Sequence, residues 1–268
     1  MELFGYKYLT SSQFVKIGLF KRREGLTKSL KKIINGKYDL IDKHDYSPLS
    51  GKVESLYFLK SKGKNLLIND LEYESENIKI PIGLASSFKD YYYRRFTIDF
   101  YISLNTWINK MNGKIIFLDY YFDKKGNNRL QKNNKTVTPI NQITLTNNNS
   151  FIPDINTMFE INDKKYFIVF EQHNGKDTQR LYNQLLNHIL ALSEKALYPK
   201  YDFKKSHKVI IVCEEEIVKL SVIKRLNKLD GITSYISSLF FKTNTELQED
   251  FYHNWMLLDG RKVDFLNK

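Results

Sequence analysis

Cysteine is nearly absent from this chain of 268 residues, since Cys213 is the only one. A single cysteine excludes an internal disulfide, which fits a reducing compartment. No apolar run approaches the roughly 20 residues that span a bilayer, and the first residues lack the basic and apolar regions of a signal peptide. Zinc-ligand spacing, a Walker loop and a dinucleotide fingerprint are also missing. The sequence therefore predicts a cytoplasmic protein without a membrane span, and it points away from nucleotide-driven and zinc chemistry.

Acidic residues are fewer than basic ones, with 30 Asp and Glu against 42 Lys and Arg and a formal net charge of +12. A surplus of this size favours a polyanionic partner, most often nucleic acid. The alternative is a composition effect, because heavy use of Lys, Asn, Ile and Tyr is also typical of AT-rich coding sequences. Hydrophobic residues make up 42% of the chain, so we expect a packed core rather than disorder.

Residues 1–72 have the element order of a winged helix-turn-helix. The hydroxyl residues at 10–12 offer N-caps for one helix, and Thr27 offers one for the next. Residues 39–45 and 53–59 have the composition of a hairpin, and another helix follows from residue 60. Helix, helix, hairpin, helix is the order of a winged helix, so we predict a DNA-binding domain here.

Basic residues cluster where such a domain would contact DNA. The second helix, taken as the recognition helix, has an apolar stripe formed by Leu26, Leu30, Ile33 and Ile34, and its lysines fall on other faces. Helix cations would meet phosphates and base edges in the major groove, and cations of the wing would meet the adjacent backbone. The candidate DNA-binding residues are Lys21, Arg22, Arg23, Lys28, Lys31, Lys32, Lys43 and Lys52. The alternative is a winged helix used only for protein contacts.

Residues 73–268 are predicted to form one α/β domain with a mixed sheet. The apolar patterns predict a helix through 96–108, strands at 114–121, 157–161, 166–170 and 208–213, and helices at 179–196 and 215–226. The polar segment 123–149 is interpreted as an extended loop that can contain a short strand, or as a flexible insertion. Phe240 and Phe241 are assigned to a short edge strand.

The sharpest chemical pattern lies at the start of one predicted strand and the end of the next. Pro153-Asp154 precedes the first, and Glu171-Gln172-His173 ends the second. Residues two apart in a strand face the same side, so Glu171 and His173 would point together and a hairpin partner could bring Asp154 alongside. Two carboxylates there would bind Mg²⁺ or Mn²⁺, which activates water and neutralises a scissile phosphate.

This is the skeleton of a PD-(D/E)XK nuclease site, with Asp154, Glu171 and His173 as catalytic candidates and the two acids as metal ligands. The usual motif has a lysine where His173 stands, and imidazole is not a permanent cation. The alternative is a strand-end carboxylate that only caps a turn.

Other reactive side chains are weaker candidates. His188 is expected to be a surface or packing residue of its helix, and His207 to be structural. A tyrosine at 91–93 could attack DNA as a nucleophile, but 18 tyrosines make any one a poor choice. Cys213 ends an apolar strand and is expected to be a buried small residue.

The chain resembles the replication-relaxation family of plasmid and mobile-element proteins, which includes MobC-type mobilisation relaxases. Three pieces carry the resemblance. They are LTSSQFVKIG…GLTKSLKKI…YFLKSKGKNLL, then RRFTIDFYISL, then IPDINTMFEINDKKYFIVFEQ followed by a long amphipathic helix. The resemblance implies a winged helix fused to a restriction-endonuclease-like domain that acts on element DNA in replication initiation or mobilisation.

The same resemblance implies double-stranded DNA with an origin-type site as partner, along with other relaxosome or replication proteins. Homodimerisation is left open. The chain departs from the family where members often have a histidine, at Arg94 or Arg95, and where they often have a lysine, near Gln184. These departures concern the catalytic part of the family pattern and leave the DNA-binding part untouched.

Three functions remain open from the sequence. The first is a metal-dependent DNA nickase of a mobile element. The second is a non-enzymatic DNA-binding initiator, accessory factor or regulator with a degenerate nuclease fold. The third is a repair or restriction nuclease that shares only the core.

Overall fold

The computed structural model describes residues 3–36, 39–46, 51, 53–74, 78, 80, 88–125 and 138–266. The chain divides into two compact units, Met1–Ser103 and Leu104–Lys268. The division falls inside a long helix, α5 (Phe88–Lys110), whereas the sequence suggested a boundary at residue 72. Among the described residues, none of the helices combines the length and the apolar character needed to cross a bilayer.

The first unit combines short helices with a two-stranded sheet. Its elements before α5 are α1 (Leu3–Tyr6), α2 (Ser11–Lys16), α3 (Arg23–Ile34), β1 (Ile41–His44), β2 (Leu56–Leu59) and α4 (Ser61–Asn69). Strand β1 pairs antiparallel with β2, and an isolated bridge joins Leu9 to Tyr57. The expected order of helix, helix, hairpin and helix is therefore present.

The two N-cap predictions for α2 and α3 had different outcomes. Thr10 caps α2 in a capping box with Gln13, as predicted. Thr27 does not cap α3, which begins at Arg23, and its hydroxyl instead donates to the Arg23 carbonyl at 3.1 Å. Packing sets this start, because Leu26 is fully buried one turn inside the helix. The predicted apolar stripe is narrower than expected, since Ile33 is 41% exposed.

Gly63 permits close packing between α4 and the strands of the first unit. A Cβ added to Gly63 would lie 2.4 Å from the Leu40 carbonyl oxygen and 2.5 Å from Leu59 Cδ1. The backbone oxygen can move little, so any larger residue must push the helix away.

We expect Gly63→Ala to lower the free energy of unfolding of the first unit by about 1–3 kcal/mol. Gly25→Ala is the matched control, because nothing lies within 4 Å of a Cβ at this position in α3. That variant should raise stability by about 0.5–1 kcal/mol through helix propensity. Urea unfolding followed by far-UV circular dichroism measures both, and equal losses in the two variants would contradict the close-packing argument.

The second unit alternates strands and helices. After α5, its strands are β3 (Lys114–Tyr120), β4 (Lys124–Lys125), β5 (Thr138–Pro139), β6 (Ile143–Thr144), β7 (Ser150–Phe151), β8 (Ile155–Ile161), β9 (Lys164–His173), β10 (Lys208–Cys213), β11 (Leu239–Thr243), β12 (Trp255–Met256) and β13 (Lys262–Val263). Its helices are α6 (Thr178–Ser193), α7 (Tyr198–Tyr201), α8 (Glu216–Leu226), a 3-10 helix (Ile232–Ser238) and α9 (Asn244–Glu249).

Seven of these strands form one mixed sheet in the order β13-β12-β11-β10-β9-β8-β3. Strands β9, β10 and β11 are parallel, and the other neighbouring pairs are antiparallel. A buried apolar cluster that includes residues of α6, α8, β10 and β11 packs on this sheet. The predicted α/β class with a mixed sheet is confirmed.

Two predictions for the second unit need correction. The strand of Phe240 and Phe241 is not at an edge, because β11 lies between β10 and β12 and all of its residues are buried. Strands β12 and β13 have two residues each, too few to give a period-2 pattern. In the polar segment 123–149, which was interpreted as a loop that can contain a short strand, the described residues form three short strands, β4, β5 and β6.

A two-residue turn joins β8 to β9. Ile161 pairs with Lys164, so only Asn162 and Asp163 form the loop, with φ angles of 49° and 60°. Positive φ at both central residues is typical of a type I′ hairpin turn, which Asn and Asp tolerate. The turn fixes the register of the two strands that carry the candidate site.

Candidate functional site

Strand pairing brings Asp154 directly beside the end of β9. The Asp154 N–H donates to the Phe170 carbonyl at 3.0 Å, and its carboxylate Oδ2 accepts from the Gln172 N–H at 2.6 Å. Asp154 is thus held against the backbone on both sides of Glu171. All three predicted catalytic residues are buried, with exposures of 6% for Asp154, 2% for Glu171 and 0% for His173.

Helix α6 covers this group with one of its faces. His188 Nε2 lies 2.7 Å from Glu171 Oε1, and the Gln184 side-chain amide is 3.5 Å from Glu171 Oε2. Arg180, Gln184 and His188 are spaced by four residues, so they share one side of the helix. His188, which was expected to be a surface or packing residue, is fully buried and packs edge-on against Phe151, with ring centroids 4.7 Å apart. Its contact with Glu171 was not predicted.

Arg180 adds a positive charge that the sequence motif lacks. Its guanidinium Nη2 lies 3.3 Å from His173 Nδ1 and 3.5 Å from the Asn174 carbonyl oxygen. Burial raises the pKa of both Asp154 and Glu171, and the charge of Arg180 opposes part of that rise. A permanent cation therefore stands near the place of the motif lysine, supplied by α6 rather than by β9. The spacing of 180, 184 and 188 was the signal that could have revealed this face.

Burial dominates the ionisation of the group. It raises the pKa of Glu171 to about 8, against the effect of Arg180. Burial also raises the pKa of Asp154 well above its usual range, and the neighbouring Glu171 charge raises it further. For His188, burial lowers the pKa to about 3. His188 is therefore neutral near pH 7, and its contact with Glu171 is a hydrogen bond rather than an ion pair.

The carboxylates have oxygens left over for a hard cation. Asp154 Oδ1 has no hydrogen bond within the described part of the chain, and Glu171 Oε2 has only the 3.5 Å contact with Gln184. No group of three or more His, Cys, Asp or Glu side chains in the described ranges is arranged to hold a metal ion. Mg²⁺, however, is commonly bound by one or two carboxylates with water and phosphate as the other ligands. Asp154 and Glu171 fit a site of that kind.

The remaining reactive side chains are placed as structural groups. Tyr91 is fully buried, donates to the Glu54 carbonyl at 2.8 Å, and has its pKa raised to about 12 by burial. Cys213 is buried, as expected, and burial raises its thiol pKa to about 12. His207 is 3% exposed, and burial lowers its pKa to about 3. None of them has the exposure or the pKa of an active nucleophile or base.

The candidate DNA-binding residues of the first unit differ in how they are engaged. Lys28, Lys31 and Lys32 project from α3 as exposed side chains, and no acidic side chain of the described ranges forms an ion pair with them. Lys21 and Arg22 are likewise exposed and without such a partner.

Two other candidates already have acidic partners. Arg23 lies 2.7 Å from Glu54, and Lys43 lies 2.5 Å from Asp45. Lys52 lies outside the described residues. The lysines of α3, with Lys21 and Arg22 just before the helix, are thus the candidate cations available to an external anion.

No protein-family model, curated protein or solved structure matches this chain.

Proposed function

We propose that this protein binds double-stranded DNA through α3 of its first unit, which acts as the recognition helix of a winged helix-turn-helix. The observation that carries the proposal is the exposed, uncompensated row of Lys28, Lys31 and Lys32 on the side of α3 away from buried Leu26 and Leu30. Unpaired lysines on an amphipathic helix are suited to phosphate contacts in the major groove. The net charge of +12 supports the same partner.

Reversing the charge of these three lysines tests the proposal. We expect K28E/K31E/K32E to weaken binding to a mixed-sequence duplex by more than about tenfold near 0.1 M salt. The slope of log K against log salt concentration should also become less steep, by about 2–3. Each lost phosphate contact removes counterion release, which is the source of both effects. Fluorescence anisotropy at several salt concentrations measures them.

A matched control separates a local interface from net charge. K110E/K224E/K228E makes the same change in charge at exposed lysines of the second unit that have no ion-pair partner within the described ranges. That variant should keep its affinity within about twofold. An equal loss in both triple variants would refute the assignment of α3.

The biological role proposed for this binding is replication initiation or mobilisation of a plasmid or other mobile element. It rests on the family resemblance of the sequence, so the target would be an origin-type site. Footprinting on the element that encodes the protein tests the role, because protection at the origin supports it and uniform protection argues against it.

A second candidate function is metal-dependent nicking of DNA by the second unit. Its support is the pair of carboxylates brought together where β8 begins and β9 ends, with Asp154 just before β8 and Glu171 near the end of β9, together with the PD-(D/E)XK pattern of the sequence. Mg²⁺ or Mn²⁺ bound there would activate water and neutralise charge on the phosphate.

The side chains around that pair have separate tasks in the proposed reaction. Asp154 Oδ1 and Glu171 Oε2 would hold the cation. His188 orients Glu171 by holding its other oxygen, and Arg180 offers a guanidinium to the scissile phosphate. Orienting groups of this kind commonly raise metal affinity or activity by about 10–100-fold.

Supercoiled plasmid carrying the cognate origin separates the two functions. Open circles formed with Mg²⁺ or Mn²⁺, and absent with EDTA, support the nickase. Tight binding without open circles supports a non-enzymatic initiator, accessory factor or regulator.

A further inference from the structure

A cleft of about 890 Å³ lies where β9, β10 and β11 begin. It is lined at that end of the sheet by Lys164 and Lys165 of β9 and by Lys208 of β10. Glu171 lies six residues further along β9 than Lys165, a distance of roughly 20 Å in a strand. The cleft is therefore separate from the group around Asp154 and Glu171.

Positive charge dominates the walls of the cleft. Five cationic side chains line it, namely Lys164, Lys165, Lys205, Lys208 and Arg261, and no Asp or Glu is among its described lining residues. These cations are suited to a ligand that carries several phosphates in a row.

Three of these cations are available to a ligand. Lys164, Lys165 and Lys205 are exposed, and none forms an ion pair with a side chain that the structure describes. The cross-strand neighbour of Lys165 is Glu160, which lies 3.1 Å from Lys114 instead.

The other two cations are partly engaged within the protein. Lys208 donates to the Ser237 carbonyl at 2.5 Å, and Arg261 lies 2.6 Å from Asp259. Their charges are partly compensated by these contacts. The lysines to test are therefore Lys164, Lys165 and Lys205.

The floor of the cleft is apolar and aromatic. Tyr166 is half-buried in it, and Phe203, Phe240 and Leu257 form the deeper surface. Tyr166 is itself stacked on Phe159, with ring centroids 5.5 Å apart. A planar aromatic ligand can therefore be held on a rigid ring while its phosphates meet the lysines.

We propose that this cleft binds single-stranded DNA over a few nucleotides. A cationic groove with an aromatic surface is the combination that holds a single strand without reading its sequence. A duplex keeps its bases stacked inside, so it would leave the apolar floor uncovered. This proposal depends neither on duplex binding by α3 nor on a metal site at Asp154 and Glu171. Any one of the three proposals can fail while the other two hold.

Fluorescein-labelled (dT)12 is the probe, with the full-length protein and anisotropy as the readout. We expect K164E/K165E/K205E to weaken its binding at least about tenfold near 0.1 M salt, and K110E/K224E/K228E to change it less than about twofold. We also expect Tyr166→Leu to weaken (dT)12 by about fivefold or more, while competition by inorganic tripolyphosphate is unchanged. Melting temperatures verify that each variant is folded.

Three outcomes would overturn the proposal. Equal losses in the two triple variants would mean that net charge alone holds the strand. An unchanged affinity in Tyr166→Leu would leave a site for phosphate only. If K164E/K165E/K205E lost as much affinity for a 12-base-pair duplex as for (dT)12, the cleft would be part of a duplex interface.

Discussion

Asp154→Asn is expected to lower metal-dependent nicking of supercoiled plasmid by about a thousandfold or more, and Glu171→Gln by a similar factor. Both substitutions keep the size of the side chain and remove its negative charge, so the cation loses a ligand while the fold is preserved. The double variant should be little worse than either single one, because residues that act as a unit are strongly non-additive. Densitometry of open circles over time measures the rates.

Asp123→Asn is the matched control for this experiment. Asp123 is also buried, at 7% exposure, and also accepts from a backbone N–H, that of Tyr120 at 2.9 Å. Its replacement should leave nicking unchanged. The nicking rate of Arg180→Met should lie between those of Asp154→Asn and the control, about a hundredfold below wild type. Arg180→Lys should recover part of that rate because it restores the positive charge. If Asp154→Asn nicks as fast as the wild type, the second unit is not the nuclease.

The stability of the wild-type second unit should fall as the pH rises from 4.5 towards 8, and Glu171→Gln should flatten this dependence. The pKa of folded Glu171 is raised by burial to about 8, from an ordinary value of 4.5. In that interval the folded state keeps a proton that the unfolded state has released, so stability decreases with pH and levels off above about 8. Asp154 is shifted in the same direction, which adds to the slope.

Urea unfolding followed by tryptophan fluorescence measures this effect cleanly. The chain has two tryptophans, and both Trp107 and Trp255 belong to the second unit. The quantity to plot is the difference in unfolding free energy between wild type and Glu171→Gln at each pH. A difference that is constant from pH 5 to pH 8.5 would contradict the shifted pKa.

Adding Mn²⁺ extends the same measurement without any need for activity. A cation held by Asp154 and Glu171 requires ionised carboxylates, so it should stabilise the wild type more at pH 8.5 than at pH 6. The Glu171→Gln variant should gain little at either pH. Equal stabilisation of both proteins would place the metal elsewhere.

Much of the second unit could be predicted because its elements have strong local patterns. The apolar run of β10 and the amphipathic α6 each bury a continuous face, and such faces are visible in the sequence. The pairing of Asp154 with the end of β9 was also predictable, since a hairpin turn brings consecutive strands together. Alternation along β9 then placed Glu171 and His173 on one face.

The contribution of α6 to the site could not be predicted in the same way. His188 and Arg180 read as ordinary helix residues until the crossing of α6 over β9 is known, and that crossing depends on long-range packing. The start of α3 was missed for a related reason, because burial of Leu26 outweighs the capping preference of Thr27. The strands β12 and β13 were not predicted because two residues are too few to show the alternation of apolar and polar residues that marks a strand.

The two-residue turn at Asn162 and Asp163 ties the evolution of the candidate site to the length of a loop that lies well away from it. Side chains on a strand alternate, so inserting or deleting one residue in that turn would shift the register and send Glu171 and His173 to the opposite face of the sheet. Two inserted residues would preserve the alternation but slide Glu171 past Asp154. The spacing from Asp154 to Glu171 should therefore be invariant among relatives that keep the site, and drift in that spacing would mark the lineages that have lost it.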